Sequence, residues 1–324
     1  MTTRRQVLVA GALGLLAAHR VAAQTGVPHI GMLVPVGIHA PLPQTVLQRL
    51  SELGYRDGAE MLLEHRSADG IDEHYPKLAR ELIDARCELI FAFGHFAAAA
   101  LRDARTSVPV VFLAPDTDPL EKGYVDSLNR PGRNLTGVYV PAPALAVKRL
   151  EIAQEVFPQA SRFLVLSDTY SQDQLLALRR AAEVRRVQLT VVEFLERPDD
   201  ADLVAAFEAG RRAGADALLG LNSPHLVTNR ARLAALIVKS RMPAFLPTSM
   251  AEEPGILIGY HSNITKLARR AAEFGVRILK GAKTIEIPVE QADEFDLFVN
   301  LKTAKVLGVK VPYSVLARAT RVIE

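Results

Sequence analysis

From Pro28 onward, short apolar runs alternate with segments whose apolar positions recur every three or four residues. The runs read as strands and the segments as amphipathic helices. His29–Val34 is the first strand. A helix over 43–53 follows, with Val46, Leu47, Leu50 and Leu53 on one face and Gly54 suited to its C-terminal cap. Strands are expected at 61–65, 88–93 and 108–113. The helices between them begin at Asp72, a capping residue, and at Phe96. After Pro141 and Pro143 the rhythm restarts. Helices are expected at 144–156, 172–185, 200–209, 225–240 and 265–280, and strands at 162–166, 187–195, 215–221, 243–246 and 256–259. The tail adds strands at 285–290 and 297–300 and a short helix at 301–307. Strands alternating with helices imply parallel sheets covered on both faces. Two such series in 324 residues predict an α/β chain of two doubly wound parallel-sheet lobes joined by a hinge. The hinge candidates are 138–143 and 259–263.

The first residues do not fit this rhythm. Arg4 and Arg5 precede an apolar run from Val7 to Ala18, and Val21, Ala22 and Ala23 end it with small residues. These are the parts of a secretory signal, expected over residues 1–23. A membrane anchor or a first core helix is the competing reading. No Cys sits near the cleavage point, which argues against a lipid anchor. The segment around Arg4-Arg5 partly matches a twin-arginine motif, so both that route and the Sec route stay open. Residues 1–23 carry Arg4, Arg5 and Arg20 and no acid. Beyond them, basic and acidic residues balance at 36 each. The formal charge of +3 therefore belongs to the leader, and nothing global favours nucleic acid or an anionic membrane. No later stretch is apolar enough to span a bilayer, so no stable membrane insertion is expected after cleavage. Cys87 is the lone cysteine and can make neither an internal disulfide nor a zinc site.

Motifs for chemistry are missing. There is no Gly-x-Ser-x-Gly elbow, no phosphate loop and no Gly-x-Gly-x-x-Gly after the first strand. Residues 281–284 resemble only the end of a phosphate loop and read as a helix terminus. No His pair has metalloenzyme spacing. His65, His74, His225 and His261 read as surface or loop residues, and no metal or cofactor is expected. Asp199 and Asp200 open a helix, where their charge offsets its dipole. Small polar residues gather instead at the carboxyl ends of strands, where open α/β sheets bind ligands. The candidates are His95 and Phe96, Asp116 and Asp118, Ser167, Asp168 and Tyr170, Asn222 and Ser223, and Thr248. Helix capping explains Ser, Thr, Asp and Asn there equally well. Their occurrence in both lobes is what a ligand between lobes requires.

Three stretches carry a family resemblance. Leu53-Gly54-Tyr55, Gly58 and Glu64-His65-Arg66 form the first. Asp118-Pro119-Leu120, 127–132 and Asn134-Leu135-Thr136-Gly137-Val138 form the second. Residues 287–291, Phe295, 300–305, Leu307-Gly308 and 312–319 form the third. On these the chain resembles the ABC transporter substrate-binding proteins of the tryptophan/tyrosine-type group, which have the type I periplasmic binding fold. The resemblance implies two lobes joined by three crossings, with the C-terminal segment returning to the first lobe. Lobe 1 is then 24–140 with 262–324, and lobe 2 is 141–261. It implies capture without chemistry and a structural role for the tail, where Asn300 caps a short helix. Some members bind aromatic amino acids. His95-Phe96 departs from the threonine-proline or serine pair often found after the third strand, so the ligand does not carry over.

The expectation is an exported, periplasmic, non-enzymatic protein that closes on a small molecule and delivers it to an ABC permease. Apolar side chains such as Phe96 or Tyr170 would cover the solute, and Asp116 or Asp168 would pair with an ammonium. A ligand-sensing module for a signalling receptor is the alternative, and an α/β enzyme a more distant one.

Overall fold

The computed structural model describes residues 26–115, 117–195, 197–247 and 255–324. The expected leader, Asp116 and Thr248 lie outside the described residues.

The first series runs β1 (His29–Val34), α1 (Pro41–Glu52), β2 (Leu62–Ser67), α2 (Tyr75–Asp84), β3 (Leu89–Phe93), α3 (His95–Asp103), β4 (Val110–Ala114) and β5 (Leu135–Tyr139). The second runs α4 (Ala142–Val156), β6 (Arg162–Asp168), α5 (Gln172–Arg185), β7 (Gln188–Phe194), α6 (Asp200–Arg212), β8 (Ala217–Gly220), α7 (Pro224–Thr228), α8 (Arg230–Ser240), β9 (Ala244–Leu246) and β10 (Ile256–Ser262). Then come α9 (Ile264–Leu279), β11 (Glu290–Gln291), β12 (Phe295–Asn300), α10 (Leu301–Leu307), α11 (Tyr313–Leu316) and β13 (Arg321–Ile323).

The strands form two sheets, ordered β11-β5-β4-β3-β1-β2 and β13-β12-β10-β9-β8-β6-β7. Every residue of β3, β4 and β5 is buried. That is the signature of parallel strands covered on both faces. In lobe 1, α1 and α9 lie together on one face, with Val46, Leu50, Ala268, Ala271 and Phe274 against Ile30, Met32 and Phe91. The other face packs α2 and α3 through Tyr75, Leu82, Ala97 and Leu101. Lobe 2 repeats the arrangement, with α4 and α5 on one face and α6 and α8 on the other.

The chain crosses between sheets between β5 and α4, between β10 and α9, and between β11 and β12. The second and third crossings are tied together, since the Asn263 N–H donates to Glu294 O at 3.1 Å. Val140, Ala142, Leu145 and Ala292 form a small apolar cluster there.

The tail differs from the expected assignment of 262–324 to lobe 1. α9 and β11 return to that lobe, but β12 pairs antiparallel with β10, Ile258 opposite Val299, and carries 295–323 into the second sheet. Burial of Leu297 and Val299 in the lobe 2 core fixes this. Two elements also differ. The expected strand at 285–290 is a 3-10 turn over Thr284–Glu286 with only Glu290–Gln291 paired. Pro288, lacking an N–H, interrupts the alternation. The expected helix at 225–240 is broken at Asn229, whose side chain donates back to His225 O at 3.1 Å.

Candidate functional site

The carboxyl ends of the two sets of parallel strands face one another, and the candidate residues of both lobes meet there. In lobe 1, Gly94 has φ 85°, which lets the chain turn sharply from β3 into α3 and sets His95 and Phe96 at the helix start. In lobe 2, Asp168 ends β6 and caps a 3-10 turn over Thr169–Ser171, which places Tyr170 over the rim. The Tyr170 ring lies 5.0 Å from Phe96, 5.6 Å from His95 and 5.2 Å from His225, all edge-on. Its hydroxyl meets that of Tyr75 at 3.2 Å. Tyr75 stacks on Phe96 at 5.8 Å. Tyr75, His95 and Phe96 belong to lobe 1 and Tyr170 and His225 to lobe 2, so this aromatic cluster bridges the lobes.

Polar bonds cross beside it. Asn222 Nδ2 donates to Pro115 O at 2.7 Å. Thr117 Oγ1 donates to Asp173 Oδ2 at 2.9 Å, and Lys122 Nζ reaches Asp173 Oδ1 at 3.0 Å. Gln174 grips the lobe 2 side of this contact. Its amide accepts from Asn222 N–H at 2.8 Å and donates to Asn222 O at 2.9 Å, as a strand would. Arg149 holds the same loop from below, donating to Gly220 O and Tyr260 O at 3.1 Å each. Burial lowers its pKa to about 9, which leaves the guanidinium charged at neutral pH.

Several expected ligand contacts turn out to be internal supports. Asp168 is buried, and its carboxylate accepts from Tyr170 N–H and Ser171 Oγ at 3.1 Å and from Ser223 Oγ. An ammonium would have to displace those donors, so Asp168 does not fit the pairing expected of it. Ser223 in turn caps α7 through the N–H groups of His225 and Leu226. Ser167 is buried against Ser171 at 3.1 Å. Asp118 Oδ1 caps its own turn through Leu120 N–H at 2.8 Å. Thus His95, Phe96, Tyr170 and Asn222 stand at the interlobe contact, while Ser167, Asp168 and Ser223 shape the rim behind it.

The strand-end pattern does not mark Tyr75, Lys122, Asp173 or Gln174, and it puts His225 at the surface. In fact His225 is 3 % exposed and faces lobe 1. A signal for it existed: it follows the capping Ser223-Pro224 pair at a strand end, where side chains turn toward the opposite lobe.

Burial pushes the Asp173 carboxyl up, but the hydrogen bonds from Lys122 and Thr117 outweigh it and hold the group below the usual carboxylate range. Both donors sit on lobe 1, so opening the lobes removes them and the pKa returns upward. A depressed carboxyl pKa in one state stabilises that state above the free value, and the benefit vanishes as pH falls through the depressed value. Asp173→Asn is therefore expected to weaken closure at neutral pH by about 1 kcal/mol, roughly fivefold in solute affinity. The difference from the unaltered protein should shrink as the solution is acidified below the carboxylate range, as read by titration calorimetry.

Among the described residues no three His, Cys, Asp or Glu are grouped to hold a metal ion, and no helix is long and apolar enough to cross a membrane.

Two doubly wound lobes with three crossings and facing ligand-side rims define a two-lobed binding protein of the type I periplasmic kind. The family described as ABC transporter substrate binding protein matches residues 40–323, and the chain belongs to it. A tyrosine-binding protein of Clostridioides difficile is 23% identical over 268 residues, covering 82% of this chain and 75% of the relative. Two solved structures share the fold. A conserved domain protein of Vibrio cholerae O1 biovar El Tor superposes with a TM-score of 0.80 at 22% identity, and an ABC domain of Streptococcus pneumoniae in complex with L-Trp with 0.79 at 23%. Each covers 92% of this chain and 100% of its own.

Proposed function

We propose that the mature chain is exported, captures a small solute between its lobes and hands it unchanged to the permease of an ABC importer. The observation that carries this reading is the interlobe contact at the carboxyl ends of the strands, where Tyr170, Asn222 and Asp173 of lobe 2 touch lobe 1 directly. Open α/β sheets bind ligands at that edge. The contacts are those of a closed clamp, which a solute would select from an open–closed equilibrium. Membership of a substrate-binding family supports capture rather than turnover. The charged and apolar pattern of residues 1–23 supports export to the periplasm. The aromatic rim, together with the tyrosine-binding and L-Trp-bound relatives, supports an amino acid or another small planar solute.

A thermal-shift screen of amino acids, small carboxylates and nucleosides tests the reading. A true ligand at 100 times its Kd should stabilise the chain by about 2.7 kcal/mol. Its deletion from the source cell should abolish uptake of that labelled solute. Conversion of the bound solute to a product, or uptake unaffected by deletion, would remove the proposal.

A further inference from the structure

We infer that lobe 2 carries a second site, away from the interlobe cleft, which takes the alkyl chain of a short aliphatic carboxylate and pairs its charged end with Arg230. A cavity of about 60 Å³ lies between the sheet of lobe 2 and the α7–α8 pair. Leu218, Leu226, Leu233, Ile237, Leu246 and Ile256 form much of its wall, and every lining residue belongs to lobe 2. Tyr170, Asp173, Asn222 and His225, which meet lobe 1, are not among them. The polar side chains on the wall are those of Ser223 and Arg230. Ser223 is already committed, since its hydroxyl donates to Asp168 and accepts from the N–H groups of His225 and Leu226. Arg230 is exposed and, among the described residues, has no carboxylate within ion-pair reach. Arg232, two residues on, pairs with Asp200 at 3.5 Å. Val227, also on the wall, is 46% exposed, so Val227 and Arg230 mark the mouth.

Size and charge together define the occupant. An apolar cavity of about 150 Å³ stays dry and admits benzene. At about 60 Å³ this one is less than half as large, too small for an aromatic ring and wide enough for a chain of about three or four carbons. The apolar wall offers a polar group no hydrogen bond, so the part that enters must be alkyl. An empty apolar cavity forgoes packing contacts that an inserted chain restores. The outer end of the chain then meets Arg230 at the mouth. A carboxylate there gains the forked donors of a guanidinium, whereas an ammonium is repelled. Arg230 also opens α8, where the helix dipole disfavours a cation and no acid stands in the first turn. A bound anion offsets that charge. The site connects to the cleft through α7. Leu226 lines the cavity, while the adjacent His225 faces lobe 1. A chain seated beneath α7 therefore steadies the helix that the opposite lobe touches.

The test titrates the full mature chain with propanoate, butanoate, pentanoate and heptanoate, and with 1-pentanol and pentylamine as head-group controls, by calorimetry. Affinity should rise about fourfold for each methylene from propanoate to pentanoate. It should level off or fall at heptanoate, whose chain outgrows the cavity. Pentanol should bind about three- to fivefold more weakly than pentanoate, and pentylamine more weakly still. Arg230→Gln should reduce pentanoate binding to the level of pentanol. Ala234→Leu adds side-chain bulk to the cavity wall and should abolish the chain-length series, with the circular dichroism unchanged. Hydrogen exchange locates the site, since pentanoate should slow the amides of α7 and α8 and leave the turns after β3 and β6 as they were. Protection confined to those turns would put the carboxylate in the interlobe cleft and overturn the second site, with solute capture between the lobes intact. Affinity independent of chain length, pentanoate binding unchanged in both variants, or no binding by any of the series also overturns it.

Discussion

Tyr170→Ala is expected to leave both lobes folded and to disable their closure. The side chain is 2 % exposed, yet its neighbours divide between the lobes: His95, Phe96 and Tyr75 on one side, His225 on the other. Truncating a buried aromatic residue typically removes about 3–5 kcal/mol. In a single core that loss would appear as global destabilisation. Here most of the lost contact exists only when the lobes meet, so the loss falls on the closed state. If about 3 kcal/mol is lost from closure, solute affinity drops roughly a hundredfold. Scattering should report a larger radius of gyration at saturating wild-type ligand concentrations. Tyr170→Phe keeps the ring contacts and removes only the hydroxyl that meets Tyr75, a change of about 1 kcal/mol and a several-fold loss of affinity. A Tyr170→Ala variant that binds and closes normally but melts earlier would make Tyr170 an ordinary core residue and weaken the clamp reading.

Much of the architecture was legible because buried parallel strands are written as uninterrupted apolar runs. Leu89–Phe93 and Val110–Ala114 contain no polar residue, so they stand out in the sequence. β5 did not stand out, because Thr136 and Gly137 break its run, although all five residues are buried. The candidate site was legible in part for a related reason. Strand ends can be located, and so the turns after β3, β6 and β8 drew attention to His95, Phe96, Tyr170 and Asn222. The same logic could not separate a side chain aimed at the opposite lobe from one that caps its own turn. Asp168 and Ser223 do the second, and the difference is set by a rotamer and by the neighbouring loop. Lys122 and Asp173 were invisible because their pairing depends on how one lobe sits on the other. The stretches that carry the family resemblance serve the scaffold. Thr136 Oγ1 donates to Ile287 O at 2.7 Å, Asn300 caps α10 through Thr303 N–H at 2.9 Å, and Gly308 ends that helix at φ 69°. Such positions report a fold shared by many binding proteins and leave the ligand to the variable rim.

The largest loss of stability is expected from Gly137→Ala, a single methyl group in the middle of β5. A Cβ at this position would stand 2.1 Å from Phe112 O and 2.8 Å from carbons of the Phe112 ring. The first of these atoms is backbone, on the paired strand β4, so no change of rotamer relieves the clash. The strand has nowhere to shift. β5 is held by β4 on one side and by β11 on the other, and Thr136 is anchored to Ile287. Overpacking a core commonly costs about 1–3 kcal/mol, and more where the backbone itself must move. We expect about 3–5 kcal/mol here, a large part of the stability of an ordinary domain. Gly210→Ala provides the contrast. The three atoms nearest its Cβ all belong to the Leu164 side chain, from 2.9 Å, and none is backbone. Urea unfolding should therefore show a much lower midpoint for Gly137→Ala and a small change for Gly210→Ala. The loss should be confined to lobe 1, because Phe112 and Gly137 both belong to its sheet. The unfolding curve should then split in two, the lobe 2 transition staying near its original position. A shift below about 1 kcal/mol, or a single transition lowered as a whole, would mean that β5 can slide away from β4 or that the lobes do not unfold as separate units.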